Sequence, residues 1–260
     1  PFLLCLLALP AALLVHRRFD PSGLGDDPAP TGEEGQDGPS AGLGGNDGGY
    51  ARELLWLATR PRVLAVLASL GLGMFLYTGL LTYNSFLVVR VLSGTPGQAG
   101  LLVTALCFGY AASASQTGRL SAAVNRPAAL LAANVVMALG LVGTGLAPSF
   151  PLAVAGSAVM GAGTGVLFTL LRSSVTGLAP ASLRGGLVGL AEATIRLTAS
   201  VAPVGMGLLV VALEPAVGTA WAIRWSLVAV GAVGGLLGSA ALLVGARSGT
   251  SPRGAAADAD

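Results

Sequence analysis

Residues 127–171 read PAALLAANVVMALGLVGTGLAPSFPLAVAGSAVMGAGTGVLFTLL, and this stretch contains no charged side chain. Pro148 and Ser149 divide it into two apolar runs, 127–147 and 151–171. Each run is long enough to cross about 30 Å of hydrocarbon as an α-helix that rises about 1.5 Å per residue. Neither run alternates like a membrane β-strand, and a helix satisfies its own backbone hydrogen bonds in lipid. The stretch therefore predicts two consecutive transmembrane helices.

Four further apolar runs of similar length lie at residues 62–89, 98–118, 185–213 and 221–246. Short connectors with turn-forming residues separate the runs, and Glu214-Pro215 is one of the predicted turns. Only 10% of the residues are charged, whereas soluble domains carry about 25%. The mean hydropathy is +0.77. We therefore expect an all-α membrane protein whose residues 62–246 form a six-helix transmembrane bundle.

The regions on either side of the bundle have a different composition. Residues 1–15 are apolar but too short to span a bilayer, and we expect them to be the end of a truncated transmembrane helix, so that the chain is a fragment. Residues 16–61 predict a cytoplasmic linker, largely disordered because it is rich in Gly, Pro and acidic residues. A short amphipathic helix at 50–60, anchored by Trp56, would lie on the membrane surface. Residues 247–260 predict a disordered cytoplasmic tail.

The arginines predict the orientation of the bundle. Six spans place eleven arginines on one side of the membrane: Arg17, Arg18, Arg52, Arg60, Arg62, Arg119, Arg126, Arg172, Arg184, Arg247 and Arg253. The opposite side receives only Arg90 and Arg224. Because basic residues favour the cytoplasmic side, we expect a multi-pass protein of the cell membrane with its linker and C-terminus in the cytoplasm.

Small residues predict where helices approach each other. Glycines recur at four-residue spacing in the pairs Gly161/Gly165, Gly185/Gly189, Gly231/Gly235 and Gly234/Gly238. Such spacing lets helix backbones pack closely in lipid. The two cysteines, Cys5 and Cys107, each lie within an apolar run and are expected to be small buried residues.

The order of elements resembles the C-terminal half of a twelve-helix transporter of the major facilitator superfamily. Residues 118–127, GRLSAAVNRP, are similar to the cytoplasmic loop motif of that family. Gly118, Leu120 and Arg126 match the motif and would form a conformational loop. Ala122 replaces the aspartate of the motif and Asn125 its turn glycine, so the resemblance does not extend to the charge network of the motif.

A second segment carries the resemblance further. Residues 180–207, PASLRGGLVGLAEATIRLTASVAPVGMG, resemble the start of the eleventh helix of the family and its mid-helix proline. The matching positions are Pro180, Arg184, Gly185 and Pro203. The resemblance implies a non-enzymatic transporter that binds a small-molecule substrate, is surrounded by membrane lipid and works with a missing N-terminal six-helix half. We expect no cofactor, no metal and no nucleic acid.

Two charges lie deep in a predicted span, Glu192 and Arg196. They are four residues apart, so they share a helical face and could pair with each other. Unpaired charges at mid-bilayer cost about 2.5–3.5 kcal/mol on insertion scales, so both should face a polar cavity or a partner. Glu192 could accept a proton while Arg196 contacts an anionic substrate. The alternative is a static intrahelical pair that stabilises the bundle.

Polar residues in the first full span are further candidates. Tyr77 and Asn84 are seven residues apart and share a face, and Thr78 lies beside Tyr77. By resemblance this helix lines the central cavity, so these residues could contact substrate, together with Tyr110 on the next helix. Interhelical hydrogen bonds or interfacial aromatics are the alternative.

Two transport functions remain open from the sequence. The first is a proton-coupled exporter of hydrophobic or drug-like compounds, which in this family carries a glycine-proline motif in its fifth helix. The second is an uptake carrier, symporter or facilitator, for an organic and possibly anionic metabolite. An intramembrane enzyme would need at least two clustered catalytic side chains, and a dimerising half-transporter would need a complete first helix.

Overall fold

The computed structural model describes residues 47–247, which belong to one compact unit that begins at Asn46. Residues 1–46 and 248–260 lie outside the described residues. The expectations for the truncated helix at 1–15, for most of the linker and for the tail after Arg247 therefore cannot be compared with it.

Seven α-helices follow one another along the described part of the chain. They are α1 (Asp47–Ala58), α2 (Pro61–Phe86), α3 (Pro96–Ala123), α4 (Arg126–Leu146), α5 (Phe150–Leu178), α6 (Arg184–Val217) and α7 (Thr219–Arg247). A π-helical turn, Leu87–Val91, extends α2. Within residues 47–247, α2 to α7 are each long and apolar enough to cross a membrane, which confirms the predicted six-helix bundle.

Prolines and one capping box define the helix starts. Pro61, Pro96, Pro127 and Pro151 each occupy the first or second position of a helix, where no backbone N–H needs an acceptor. At α3, the Thr95 hydroxyl accepts from the Gln98 N–H at 3.3 Å, and the Gln98 side-chain oxygen accepts from the Thr95 N–H at 2.8 Å. The predicted connectors therefore fix where the helices begin.

The end of α5 lies seven residues beyond the predicted end at Leu171. Arg172 is consequently a helical residue. The hydroxyls of Ser173 and Ser174 donate to the Leu170 carbonyl at 2.9 and 2.8 Å. These serines form hydrogen bonds inside the helix, and no proline interrupts it before Pro180.

The end of α6 also differs from the prediction. The turn expected at Glu214-Pro215 is wrong, because both residues lie inside α6. The helix ends at Val217, and Gly218 follows with φ +78°, a conformation that glycine adopts without steric cost. The connection between α6 and α7 is therefore this single glycine.

Close packing centres on α5, which lies against α3 on one side and α4 on the other. A Cβ atom at Gly161 would overlap the backbone carbonyl of Leu106 in α3. A Cβ at Gly165 would likewise overlap the Tyr110 carbonyl, and one at Gly163 the backbone of Met137 in α4. The Gly161/Gly165 prediction is confirmed.

The contact between α4 and α7 combines small residues with a buried amide. Asn134 is 2% exposed, and its Nδ2 donates to the Gly235 carbonyl at 2.8 Å and to the Ser239 hydroxyl at 3.0 Å. A Cβ at Gly235 would lie 2.5 Å from the Ala138 side chain, and one at Gly238 would lie 2.7 Å from Asn134 Oδ1. Close packing at the Gly231/Gly235 and Gly234/Gly238 pairs is confirmed in this way.

The same prediction is wrong for the Gly185/Gly189 pair in α6. Within residues 47–247, no atom outside the adjacent backbone of α6 lies within 4 Å of a Cβ placed at either glycine. These glycines lie on a side of α6 that packs against no other described helix. Spacing alone identifies a face of small residues, and it does not show that a neighbour covers that face.

The short helix α1 precedes the bundle. Leu57 is buried, while Trp56 is exposed and carries the Arg60 guanidinium over its ring at 4.1 Å from the centroid. The Tyr50 hydroxyl lies beside Gly186 at the start of α6. A helix thus exists where the sequence predicted one at 50–60, although it begins earlier and ends before Arg60. Its position on a membrane surface remains a prediction.

The antiparallel order of the helices collects the basic residues at one end. The starts of α2, α4 and α6 and the ends of α3, α5 and α7 share this end, which we call the arginine-rich end. It holds Arg62, Arg119, Arg126, Arg172, Arg184 and Arg247. At the opposite end of the described helices lie Arg90 and Arg224.

Candidate functional site

Two of the six long helices are much less buried than the others. In their most apolar windows only 17% of α3 and 11% of α6 is buried, against 39–56% for α2, α4, α5 and α7. Both helices pack against α2 and α5, but they are not major neighbours of each other. They therefore flank a face of the bundle whose back is formed by α2 and α5.

An apolar stripe covers the exposed side of α6. Its members alternate at spacings of four and three residues and are each more than half exposed: Leu197, Val201, Val204, Leu208 and Val211. On α3, Leu101 and Phe108 are 57% and 75% exposed. Lipid also covers exposed apolar side chains, so the low burial of α3 and α6 as whole helices, and not the apolar character of their side chains, is what defines this face as the candidate site.

Polar side chains of α2 and α3 meet beside this face. The Tyr77 hydroxyl lies close to the Cys107 thiol and near the Tyr110 phenol. Cys107 is exposed, so the expectation that it is buried is wrong. The physical reason is that it lies on the open side of α3, next to Phe108. The structure thus brings two of the predicted site residues together and adds a thiol to them, and we call Tyr77, Cys107 and Tyr110 the Tyr77 group.

The other two candidates on α2 have different surroundings. Asn84 is 5% exposed; its Nδ2 donates to the Leu81 carbonyl at 3.1 Å and its Oδ1 accepts from the Ser85 hydroxyl at 3.1 Å. The hydroxyl oxygen of Thr78 is buried and has no hydrogen-bond partner among the described residues. Asn84 is therefore satisfied locally, whereas Thr78 retains a free polar group next to Tyr77.

The carboxylate of Glu192 forms an ion pair with another helix. Its Oε1 lies 2.9 Å from Nη2 of Arg172 in α5. The expected intrahelical pair of Glu192 with Arg196 is wrong, because Arg172 lies inside α5 and reaches the carboxylate across the short α5–α6 connection. Arg196 is exposed, and its guanidinium has no partner within residues 47–247.

The candidate residues lie at different depths along the helices, measured from the arginine-rich end. Glu192 lies about 12 Å and Arg196 about 18 Å from the start of α6 at Arg184. Tyr110 lies about 20 Å from the end of α3 at Ala123. The ion pair is thus closest to the arginine-rich end, while Arg196 and the tyrosines lie deeper. No described contact joins the Tyr77 group to Glu192 or Arg196.

The sequence did not identify Arg172 as the partner of Glu192. Because the predicted span 151–171 ends before Arg172, the sequence assigns this arginine to a connector. The sequence nevertheless contains a clue to this pair. Two antiparallel helices joined by a short connection, here residues 179–183, bring together residues that lie about equally far before and after the connection. Arg172 and Glu192 satisfy that condition.

The matched loop motif lies mostly inside a helix. Gly118 and Leu120 are exposed residues in the last turns of α3, and Arg126 is the first residue of α4. The Arg126 Nη2 donates to the Leu170 carbonyl at 3.1 Å and to the Ser173 hydroxyl at 2.5 Å. The expected loop is therefore only Val124 and Asn125, and Arg126 connects α4 to α5.

The residues predicted to start α6 occupy matching places, and a bend of the helix at Pro203 stays a prediction. The Pro180 carbonyl accepts from the Leu183 N–H at 3.0 Å, which forms a turn directly before Arg184, the first residue of α6. Gly185 follows as an exposed helical residue. Pro203 lies inside α6, and the helix continues through it.

Comparison with known proteins agrees with this architecture. The Major Facilitator Superfamily model matches residues 63–259, and the chain therefore belongs to this superfamily of transporters. The chain is accordingly a multi-pass membrane protein and not an enzyme. No curated protein sequence matches it significantly.

Two solved structures have the same fold. One is a mutant of the peptide transporter POT in complex with sulfate, with 16% identity and a TM-score of 0.57 over 71% of this chain. The other is the xylose transporter XylE from E. coli in an inward open conformation, with 18% identity and a TM-score of 0.57 over 71% of this chain. The match covers 37% and 47% of those two chains, so this chain spans less than half of either transporter.

Proposed function

We propose that this chain supplies six helices of a secondary transporter, which carries a small organic solute across the cell membrane by alternating access. The observation that supports this most is the open face between α3 and α6, with its apolar stripe and the Tyr77 group behind it. A second helical bundle, of the size that the matched transporters contain beyond the shared part, would cover this face. The solute path would then run between the two bundles.

The arginine-rich end is the cytoplasmic end in this proposal. Six basic side chains at one end of α2 to α7, against two at the other, support this orientation because the positive side of a membrane protein stays in the cytoplasm. The linker at 16–61 and the C-terminus would then be cytoplasmic.

The first candidate is a proton-coupled exporter of hydrophobic or drug-like compounds. The exposed stripe of α6 offers such solutes an apolar wall with few fixed polar groups. Glu192 would be the proton acceptor. Protonation removes the charge that holds Arg172, so it would loosen the contact between α5 and α6 and favour one of two conformations of the carrier.

The second candidate is an uptake carrier for an organic anion, and the exposed position of Arg196 favours it. A guanidinium without a partner among residues 47–247, about 18 Å along α6, is available to a carboxylate or phosphate of a solute. Its five N–H donors suit planar anions, and its charge attracts them toward the open face.

Solute accumulation in cells that make the full-length protein separates the candidates. Cells are given either a fluorescent lipophilic cation or a radiolabelled dicarboxylate, with and without a proton gradient. If the protein is an exporter, wild type lowers accumulation of the cation, and Glu192→Gln abolishes the dependence on the gradient. If it is an anion carrier, wild type raises accumulation of the dicarboxylate, and Arg196→Gln removes at least most of this uptake.

Matched controls keep these outcomes specific. Glu214→Gln changes the other glutamate of α6, which accepts from the Thr219 hydroxyl at 2.5 Å near the opposite end. Arg90→Gln changes an exposed arginine at the end of the bundle opposite to the arginine-rich end. Both controls should transport like wild type. Transport that is unchanged in Glu192→Gln and Arg196→Gln for every solute tested would remove both residues from the proposed path.

A further inference from the structure

A cavity of about 360 Å³ lies at the arginine-rich end, away from the open face. The starts of α2 and α4 and the ends of α5 and α7 surround it. Its polar lining consists of Arg62, Arg126, Ser173 and Ser174. No acidic residue occurs among the described residues that line it, so two positive charges remain without a counter-charge in the wall.

Hydrogen bonds hold the guanidinium of Arg126 in place. Its Nη2 donates both to the Leu170 carbonyl and to the Ser173 hydroxyl, at 3.1 and 2.5 Å. Its Nη1 and Nε have no acceptor within the described part of the chain. The protein therefore already orients this side chain, which still has free N–H donors. Ligand binding would cost little further side-chain entropy.

Arg62 provides the second charge. It is exposed, and within residues 47–247 its guanidinium has no ion-pair or hydrogen-bond partner. The partial charges of the helix termini around the cavity partly cancel each other, because α2 and α4 present their positive N-termini and α5 and α7 their negative C-termini. The Leu170 carbonyl of α5 is already occupied by Arg126 and the two serine hydroxyls, so the arginines dominate the local field.

The rest of the lining is aliphatic. Ala65, Val66, Leu130 and Leu242 line the same cavity. A ligand that fits this wall has a negatively charged head for the arginines and a small carbon-containing part for the aliphatic side chains. The volume is large enough for a phosphate with an attached three-carbon group. Basic pockets between transmembrane helices at the cytoplasmic side bind lipid headgroups of this type.

We infer that this cavity binds a phosphate group, presented either by an anionic phospholipid headgroup or by free phosphate. The guanidinium of Arg62 and the Nη1 and Nε donors of Arg126 hold the phosphate oxygens. Because the site joins the ends of four helices, an occupied cavity stabilises the arginine-rich end of the bundle.

The test uses purified full-length protein in nanodiscs of phosphatidylcholine, with or without phosphatidylglycerol. Bound lipid is counted by native mass spectrometry, and stability is followed by the apparent melting temperature. Wild type should retain phosphatidylglycerol and melt at a higher temperature in its presence. Arg62→Gln and Arg126→Gln should each weaken retention roughly fivefold, the effect of one basic side chain on an anionic lipid.

A matched control and a second arm complete the experiment. Arg119→Gln removes an exposed arginine at the same end that lines no part of the cavity, and it should bind lipid like wild type. In the second arm, phosphatidylcholine nanodiscs are titrated with inorganic phosphate against sodium chloride of equal ionic strength. Arg62→Gln is the more informative variant, because the Arg62 side chain makes no hydrogen bond to any residue between 47 and 247 that the fold would lose.

Each outcome decides the inference. Retention of phosphatidylglycerol without an effect of phosphate supports a lipid headgroup site. Stabilisation by phosphate that is lost in Arg62→Gln supports a site for the free anion. The inference is overturned if neither ligand acts on wild type, or if Arg62→Gln binds both as Arg119→Gln does.

Discussion

Nη2 of Arg172 lies 2.9 Å from Oε1 of Glu192, and this ion pair joins the last turns of α5 to the first turns of α6. The side chains are 58% and 41% exposed, so the pair lies at the edge of the open face and not within the packed bundle. An ion pair of this exposure contributes little to stability in water, typically 0.2–1 kcal/mol. Because the ion pair lies beside the proposed solute path, we expect it to affect the conformation of the carrier more than its folding stability.

Glu192→Gln should therefore separate stability from transport. We expect the free energy of unfolding to fall by less than about 1 kcal/mol, because a half-exposed pair is well solvated in both states. Transport driven by a proton gradient should be lost, because glutamine neither carries the charge nor accepts a proton. Thermal unfolding and gradient-driven flux in proteoliposomes provide the two measurements.

A double-mutant cycle with Arg172→Gln gives the control for this prediction. If the pair acts as a unit, the double variant should lose no more transport than Glu192→Gln alone. Gradient-driven flux at wild-type level in Glu192→Gln would show instead that the pair is only a structural link between α5 and α6.

Gly161→Ala and Gly185→Ala should differ in the sign of their effect on stability. A methyl group at Gly161 would overlap the Leu106 carbonyl, and a backbone atom cannot move aside without shifting α3. We expect a loss of about 1–3 kcal/mol, the usual cost of overpacking. A methyl group at Gly185 meets open space, so alanine should stabilise α6 by up to about 1 kcal/mol through its helix propensity. Melting temperatures that fall equally in both variants would contradict the assigned packing.

The six helices could be predicted from the sequence because lipid imposes one simple requirement. A run such as 127–147 has to satisfy its backbone hydrogen bonds internally and expose apolar side chains to lipid, and an α-helix does both. The end of α6 was not predictable from Glu214-Pro215, since proline is tolerated there and the chain reverses only at Gly218. Hydropathy therefore locates a span better than it locates the last turn.

The candidate site was only partly predictable. Helical spacing correctly placed Glu192 and Arg196 on one face, yet the partner of Glu192 is Arg172, which depends on how two helices pack. Tyr77 and Tyr110 lie near each other, whereas Asn84 is turned to its own helix. Contacts between helices depend on their rotation about their axes, and periodicity in a nearly uniform apolar sequence says little about that rotation.

Arg224→Gln should destabilise the end of the bundle opposite to the arginine-rich end. The Nη1 of Arg224 in α7 donates to the carbonyls of Gly145 and Ala147 at 3.2 and 2.8 Å. Gly145 lies in the last turn of α4 and Ala147 follows its end, so neither carbonyl has a hydrogen-bond partner inside that helix. Losing the donor should cost about 1–3 kcal/mol.

Arg224→Lys should retain part of this stability, because an ammonium can still donate to a carbonyl. The contact of the guanidinium with the Trp221 ring, 5.7 Å from its centroid, would be lost. Arg90→Gln at the same end is the control and should change the unfolding free energy by less than about 0.5 kcal/mol. A melting temperature of Arg224→Gln equal to that of Arg90→Gln would exclude the capping role.

Labelling of Cys107 should decide whether the open face is lined by water or by lipid. Its thiol is exposed on α3 beside Tyr77, in the part of the face that we assign to the solute path. Only the thiolate reacts with maleimides or methanethiosulfonates, and it forms in water far more readily than in hydrocarbon. In a Cys5→Ala background, Cys107 should therefore react with a charged, water-soluble reagent, and a transported solute should slow the reaction by on the order of tenfold.

Leu236→Cys, made in a background without the native cysteines, is the matched control, because Leu236 is 72% exposed on α7, away from that face. We expect this engineered thiol to react with lipid-soluble reagents only. If Cys107 shows the same restriction, lipid covers α3, and the proposed solute path must lie elsewhere in the protein.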